Sequence, residues 1–262
     1  MPTADEKEKE RYERRQALAD DPEARVMVFF DGQYLYKECR RVFGWSQAHP
    51  DVIARELAGP RKLVGTRFYT GLHDPRKNPT GHAMMERRLR AMSLRGVDYQ
   101  IRTLKYVWDW GPSLEEKKRL PPAGSKQASR QVEIVSYERP LEKGIDLFLS
   151  LDALDLGLMN KYDVAIIVSL DSDLTELPPM LRTMVRRAGL PEVRVEAAVV
   201  QPMSPKRPKP VVRVLPRFDH THQITQEIFN KAVDRTNYGQ PGAAKELEEA
   251  LELPLPDDKP PA

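Results

Sequence analysis

The chain has 262 residues, 40% hydrophobic and 31% charged, with a net charge of only +3. That suits one fair-sized domain with tails and gives little overall attraction for a polyanion. Cys39 is the lone cysteine, which excludes an intrachain disulfide and a cysteine-ligated zinc site. The charged start, residues 1–21, lacks the apolar centre of a signal peptide. No apolar run approaches the roughly 20 residues that cross a bilayer. A soluble cytoplasmic protein without a membrane partner is expected.

In chain order, residues 1–24 form a charged N-terminal arm, either a short solvated helix or disordered. Residues 25–235 form the body. Its strand candidates are 26–30, 63–70, 98–106, 162–170 and 192–200. Helices are predicted at 33–42 with a further turn near 52–57, and at 83–95, 144–160, 174–188 and 221–233. This alternation points to an α/β domain with a mostly parallel sheet and helices on both faces. A 108–139 insertion carries Gly111-Pro112, Pro121-Pro122 and Gly124 and reads as largely loop, with 131–137 either an edge strand or part of it. Residues 236–262 read as a Pro-rich acidic tail, interrupted by a brief helix across 243–251.

Four aspartates fall where these elements begin or end. Asp31 closes the run Val26-Met27-Val28-Phe29-Phe30, and Asp171 and Asp173 follow the run from Val164 to Leu170. Asp146 opens a helix. If the five strands are ordered 3-2-1-4-5, Asp31 and the Asp171/Asp173 pair meet at the switch point, where open α/β sheets bind ligands. An extended Asp171-Ser172-Asp173 would put both carboxylates on one side. Gathered carboxylates repel one another unless a cation or proton sits between them, and Mg²⁺ or Mn²⁺ suits such oxygen ligands. Metal-assisted chemistry on a phosphate ester follows.

Three segments then resemble the NYN-domain family of PIN-like metal-dependent ribonucleases. Val28-Phe29-Phe30-Asp31-Gly32-Gln33-Tyr34-Leu35 is similar to its strand ending in Asp-Gly-Asn-Asn-Leu, and Glu142-Lys143-Gly144-Ile145-Asp146 to its Glu-Lys-Gly-Val-Asp helix start. Val168-Ser169-Leu170-Asp171-Ser172-Asp173-Leu174 is similar to its Val-Ser-Gly-Asp-Ser-Asp-Phe signature. The resemblance implies a three-layer α/β/α fold and a Mg²⁺- or Mn²⁺-dependent ribonuclease acting on single-stranded or structured RNA. Asp31, Asp146, Asp171 and Asp173 are then the catalytic, metal-holding cluster, with Ser169 and Gln33 in support. Two departures stand out. Gln33-Tyr34 replaces Asn-Asn, altering a polar contact near the metal or substrate, and Leu170 replaces a common Gly, narrowing the approach.

Other side chains have plainer readings beside the functional one. Arg76 and Lys77, in a loop after the second strand, are substrate-binding candidates for an RNA backbone, or ordinary solvated charges. Trp108 and Trp110 are expected to pack beneath the insertion, the alternative being to stack on unpaired bases. Basic residues between 84 and 105 (Arg87, Arg88, Arg90, Arg95, Arg102, Lys105), and again between 201 and 217, offer local polyanion surfaces or plain solvated faces. Asp152 and Asp155 read as a polar stripe, and His220 and His222 as a weak metal pair. Helix-to-helix homodimerisation is open. The alternatives to a nuclease are a noncatalytic nucleic-acid-binding or regulatory scaffold, and a phosphatase acting on small esters. The latter is disfavoured because Asp31-Gly32-Gln33 lacks the Asp-x-Asp of aspartyl phosphatases.

Overall fold

The computed structural model describes residues 3–112, 134–200 and 217–240. Six parallel strands form one sheet in the order β3-β2-β1-β6-β7-β8: β1 (Arg25–Asp31), β2 (Lys62–Leu72), β3 (Val97–Thr103), β6 (Val164–Val168), β7 (Arg194–Val200) and β8 (His220–Ile224). The first five strands thus take the expected order. Central β1 and β6 are buried on both faces, which is why their sequences run apolar rather than alternating.

Helices cover both sides, giving the three-layer α/β/α fold. Over one face lie α2 (Gly32–Phe43), α3 (Pro50–Ala58), α4 (Pro79–Leu94) and α7 (Gln226–Ala232), contributing Leu35, Ile53, Leu89 and Phe229 to a core with Val28, Phe30 and Ile166. Over the other lie α5 (Ile145–Leu158) and α6 (Leu177–Arg187), whose Leu149 and Leu181 pack with Phe29, Tyr69 and Ile167. The N-terminal helix α1 (Ala4–Ala17) opens with a Thr3/Glu6 capping box. It docks through buried Arg15, which pairs with Glu192 and Asp219.

Three expectations about elements are corrected. The segment 98–106 is not one strand: at Leu104 the chain leaves β3 and enters β4 (Lys105–Pro112), which pairs antiparallel with β5 (Ile134–Leu141) as a separate two-stranded sheet. Strand β8 begins where a helix was expected, because His220-Thr221-His222-Gln223-Ile224 carries too little apolar signal to announce an edge strand. The turn near 52–57 is a full helix, α3. The 113–133 stretch of the insertion, the basic stretch 201–216 and the helix expected across 243–251 lie outside the described residues. No helix among the described residues is long and apolar enough to cross a membrane.

Candidate active site

The acidic edge is built by the ends of β1 and β6 and the start of α5. Strands β1 and β6 are parallel neighbours, with Phe30 opposite Val168, so Asp31 and the Ser169–Asp171 segment leave the sheet side by side. Asp31 caps α2, accepting from the Tyr34 N–H at 3.0 Å. That helix begins in direct contact with β2. A Cβ on Gly32 would sit 2.6 Å from the Phe68 ring and 2.7 Å from the Tyr69 carbonyl oxygen, so only glycine allows the approach. Buried Ser169 links the two strand ends. Its hydroxyl donates to Asp31 Oδ2 at 3.1 Å and accepts from the Asp171 N–H at 3.2 Å.

Asp31 and Asp171 therefore share one edge of the sheet, and Asp146, at the start of α5, comes near enough to act with Asp31 on the same Glu142. Burial, with the negative charge of Asp171 adding to it, raises the Asp31 pKa against the hydrogen bonds from Tyr34 and Ser169. The member that sequence reasoning missed is Glu142, read only as part of a helix start. Burial first, and then the charges of Asp31 and Asp146, push its pKa up to about 7. Gln33 Nε2 donates to Glu142 Oε2 at 3.0 Å, and Lys37 donates to Gln33 Oε1 at 2.6 Å. Glu142 Oε1 is buried with no hydrogen-bond partner. The available signal was its place four residues before Asp146; its burial could not be read from sequence.

Asp173 stands apart from the partly buried Asp31, Glu142 and Asp146. Residues Ser172–Glu176 form a 3-10 turn rather than extended chain, so Asp171 and Asp173 do not project side by side as expected. Instead, the Asp171 carboxylate caps the turn by accepting from the Asp173 N–H at 2.9 Å, and both side chains are exposed. Helix α5 is also less buried than its sequence suggested, since Leu147 and Leu151 face outward. Asp152, one turn and a half beyond Asp146, is a structural group that pairs with Arg67 at 2.6 Å and accepts from the Tyr69 hydroxyl.

The departures from the motif have structural accounts. Tyr34 turns away from the site and accepts the Val200 N–H at 3.0 Å, anchoring α2 to β7. Gln33 reaches Glu142, as above, and Leu170 is exposed at the strand end. The loop after β2 carries Arg76, bonded to Asp74 at 2.8 Å, and Lys77, bonded to Glu138 at 2.7 Å. His222 belongs to an ion-pair network, 2.7 Å from Glu196, with the His220 ring edge-on to it; both stand on edge strand β8, three strands across the sheet from β1 and Asp31.

The expectation for the tryptophans is overturned. Trp108 and Trp110 are 70% and 72% exposed, because alternate residues of β4 share one face and nothing in the sheet covers it. The basic run 84–105 is likewise no continuous surface. Arg88 is buried, Arg95 pairs with Asp51 at 2.9 Å, Arg87 donates to the Tyr238 carbonyl, and Arg102 lies over the Phe148 ring.

The NYN-domain family model matches residues 25–188, spanning every element of the acidic edge. The chain belongs to the NYN-domain family. NYN domains are PIN-like nucleases that typically use divalent metals. A solved structure of a protein of unknown function from Vibrio parahaemolyticus is similar at 18% identity, over 82% of this chain and 99% of that one, with a TM-score of 0.44. A likeness of that size carries no argument. No curated protein matches the chain.

The donor set of this NYN domain fits a hard cation: carboxylate oxygens crowded on one edge, one of them buried without a partner. Among the described residues, however, no three His, Cys, Asp or Glu side chains stand close enough to form a closed cage. Mg²⁺ needs no such cage, since it commonly takes one or two carboxylates and completes its shell with water and substrate phosphate.

Proposed function

We propose that this NYN domain is a metal-dependent ribonuclease whose centre is the acidic edge. The observation that carries the reading is the gathering of Asp31, tied through Ser169 to Asp171, with Glu142, which burial first and then the charges of Asp31 and Asp146 push up to about 7. Such an arrangement is costly for folding alone and is suited to a cation and a phosphate. Asp31, Asp146 and Asp171, bordered by Asp173 and with Glu142 beside them, would hold Mg²⁺ or Mn²⁺. When bound, such a cation would draw charge from the phosphoryl oxygens and acidify attacking water.

The chain's own groups do the positioning. Ser169 fixes Asp31 and the Asp171 backbone relative to each other. The Lys37–Gln33–Glu142 chain of hydrogen bonds holds Glu142 at the edge. Arg76 and Lys77, released from weak surface pairs, would take backbone phosphates, and Trp108 and Trp110 would stack on unpaired bases.

Labelled single-stranded and structured RNA, incubated with Mn²⁺ or EDTA and with wild type or Asp171→Asn, tests this. Metal-dependent cutting lost in the variant is the expected result. RNA bound but left whole by wild type overturns it and installs the second reading, a noncatalytic RNA-binding scaffold. That second reading draws on the absence of a closed cage among the described residues.

A further inference from the structure

Beside the acidic edge, between α2, β2 and α4, lies a cavity of about 400 Å³. Its size is that of an ordinary small-molecule site. Gly32, which follows Asp31, and the Gln33–Glu142 pair all line it, so whatever fills it sits next to the acidic edge.

Five buried side-chain polar atoms lack a hydrogen-bond partner among the described residues, and three of them belong to residues that line this cavity: Arg88 Nε, Gln47 Oε1 and Glu142 Oε1. The other two belong to Arg67 and Arg182, whose remaining nitrogens are held by Asp152 and Asp219. Arg88 has no such relief. It is only 5% exposed, lies over the Phe68 ring at 5.9 Å, and makes no ion pair among the described residues; Asp234 acts on it only through space. Buried donors and acceptors left unpaired are rare and costly, and three around one cavity mark a ligand that would satisfy them.

The mixture identifies the ligand. A phosphate offers only acceptors and would face the Gln47 and Glu142 oxygens. The occupant must give acceptors to an arginine fork and donors to two oxygens, while presenting flat apolar faces to Phe68, Tyr36, Met84 and Leu104. Guanine does this: O6 and N7 accept from arginine on one edge, and N1–H and N2–H donate on the next. Uracil has a single N–H, adenine has no two adjacent acceptors, and cytosine, whose O2 and N3 do accept together, has one amine in place of two donor nitrogens.

We propose that this cavity is a guanine pocket, built on Arg88 with Gln47 and Glu142, that seats one unstacked base of a single-stranded RNA. Its placement beside a reacting phosphate rests on the ribonuclease reading; capture of the base does not.

Titration of the full chain in EDTA with 5′-GMP, AMP, CMP and UMP, followed by calorimetry, tests the pocket without any cleavage. GMP is expected to bind at least tenfold more tightly than the others and to resist displacement by inorganic phosphate. Arg88→Met keeps most of the buried stem and should lose that preference tenfold or more, whereas Asp171→Asn should bind GMP as wild type does. If Arg88→Met fails to fold, Arg88→Lys, which keeps the charge without the fork, carries the same expectation. Equal binding of all four nucleotides, no binding, displacement by phosphate, or GMP binding unmoved by the Arg88 change overturns the pocket. Wild type that binds GMP but cuts no RNA leaves the pocket standing and removes the nuclease reading. Cutting without GMP binding does the reverse.

Discussion

Glu196, on β7 of the six-stranded sheet, and Glu142, just after β5 of the two-stranded one, keep opposite company. Glu196, near the start of β7, is gripped by Arg61 at 3.0 and 3.1 Å, by Arg194 and by His222, and these partners hold its pKa far below the carboxylate range despite burial. Glu142, at the acidic edge, is pushed up to about 7 by burial first and then by the charges of Asp31 and Asp146, against only the Lys37 charge and a Gly71 backbone hydrogen bond. One fully buried acid and one partly buried acid of the same type thus mark a finished structural network and an unfinished site. Burial raises both carboxyls, and the sign of what lies alongside sets the direction of the shift.

The largest test removes each acid in turn. Glu196→Ala strands two buried arginine charges and should cost about 3–5 kcal/mol, read as a shift in the urea unfolding midpoint. Glu142→Gln should leave stability unchanged near pH 5 and raise it by about 1–2 kcal/mol above pH 7, since it removes a partly buried charge beside other carboxylates, while lowering RNA cleavage. Equal losses would make the acidic edge a second structural cluster and dissolve the contrast.

A similar division separates the aromatics. Tyr69 and Tyr162 are fully buried, whereas Trp108 and Trp110 stand out from the β4–β5 sheet. Replacing either tryptophan by Ala should weaken binding of single-stranded RNA by about 1–3 kcal/mol, the worth of one stacked base. Unfolding should move by no more than about 0.5 kcal/mol. A stability loss with RNA affinity intact would make them packing residues after all.

The pH dependence sharpens the comparison further, because the two glutamates contribute opposite slopes. The folded-state pKa of Glu142 near 7 lies above the ordinary 4.5, so between those values the folded chain holds a proton that the unfolded chain has released. Stability from this group is full below about 4.5, falls as pH rises, and levels off above about 7. The drop is on the order of 1–2 kcal/mol once solvent screening of a partly open carboxyl is allowed for. Glu196 does the reverse: its contribution is present above the ordinary value and is lost as pH falls toward its depressed folded pKa. Unfolding curves in EDTA from pH 4 to 8 should therefore lose the fall between 4.5 and 7 in Glu142→Gln and keep it in wild type.

The contrast also explains what could be read from sequence. The apolar runs of β1 and β6 announce central parallel strands, and the aspartates after them mark the switch point without any knowledge of packing. Glu142 is invisible as a site member in the sequence because its importance lies in which charges surround it, and those come from Asp31 and Asp146 on separate elements. The 84–105 arginines mislead for the same reason: sequence shows charge but not whether Asp51 or a ring takes it up. Strand β8 escapes notice because an edge strand needs burial on only part of its surface. The Trp108–Trp110 alternation carries the correct strand period, and only the covering layer was wrongly supplied.

The smallest expected effect belongs to Arg76 and Lys77. Both lie in the loop that follows β2, and both are already paired there, with Asp74 and Glu138. Exposed pairs are worth about 0–1 kcal/mol, so exchanging a carboxylate for an RNA phosphate costs the protein little and gains it little. Substituting both residues by Ala should leave folding unchanged and weaken RNA binding uniformly across sequences. The slope of log affinity against log salt should shrink by about one for each phosphate that is no longer neutralised. Measured beside Trp108→Ala, this separates two kinds of grip. The tryptophan effect should persist at high salt, because stacking displaces no counterions, whereas the Arg76/Lys77 effect should fade as salt rises. An unchanged slope would assign the two cations to holding the loop, with the aromatic face and the acidic edge left as the surface that meets RNA.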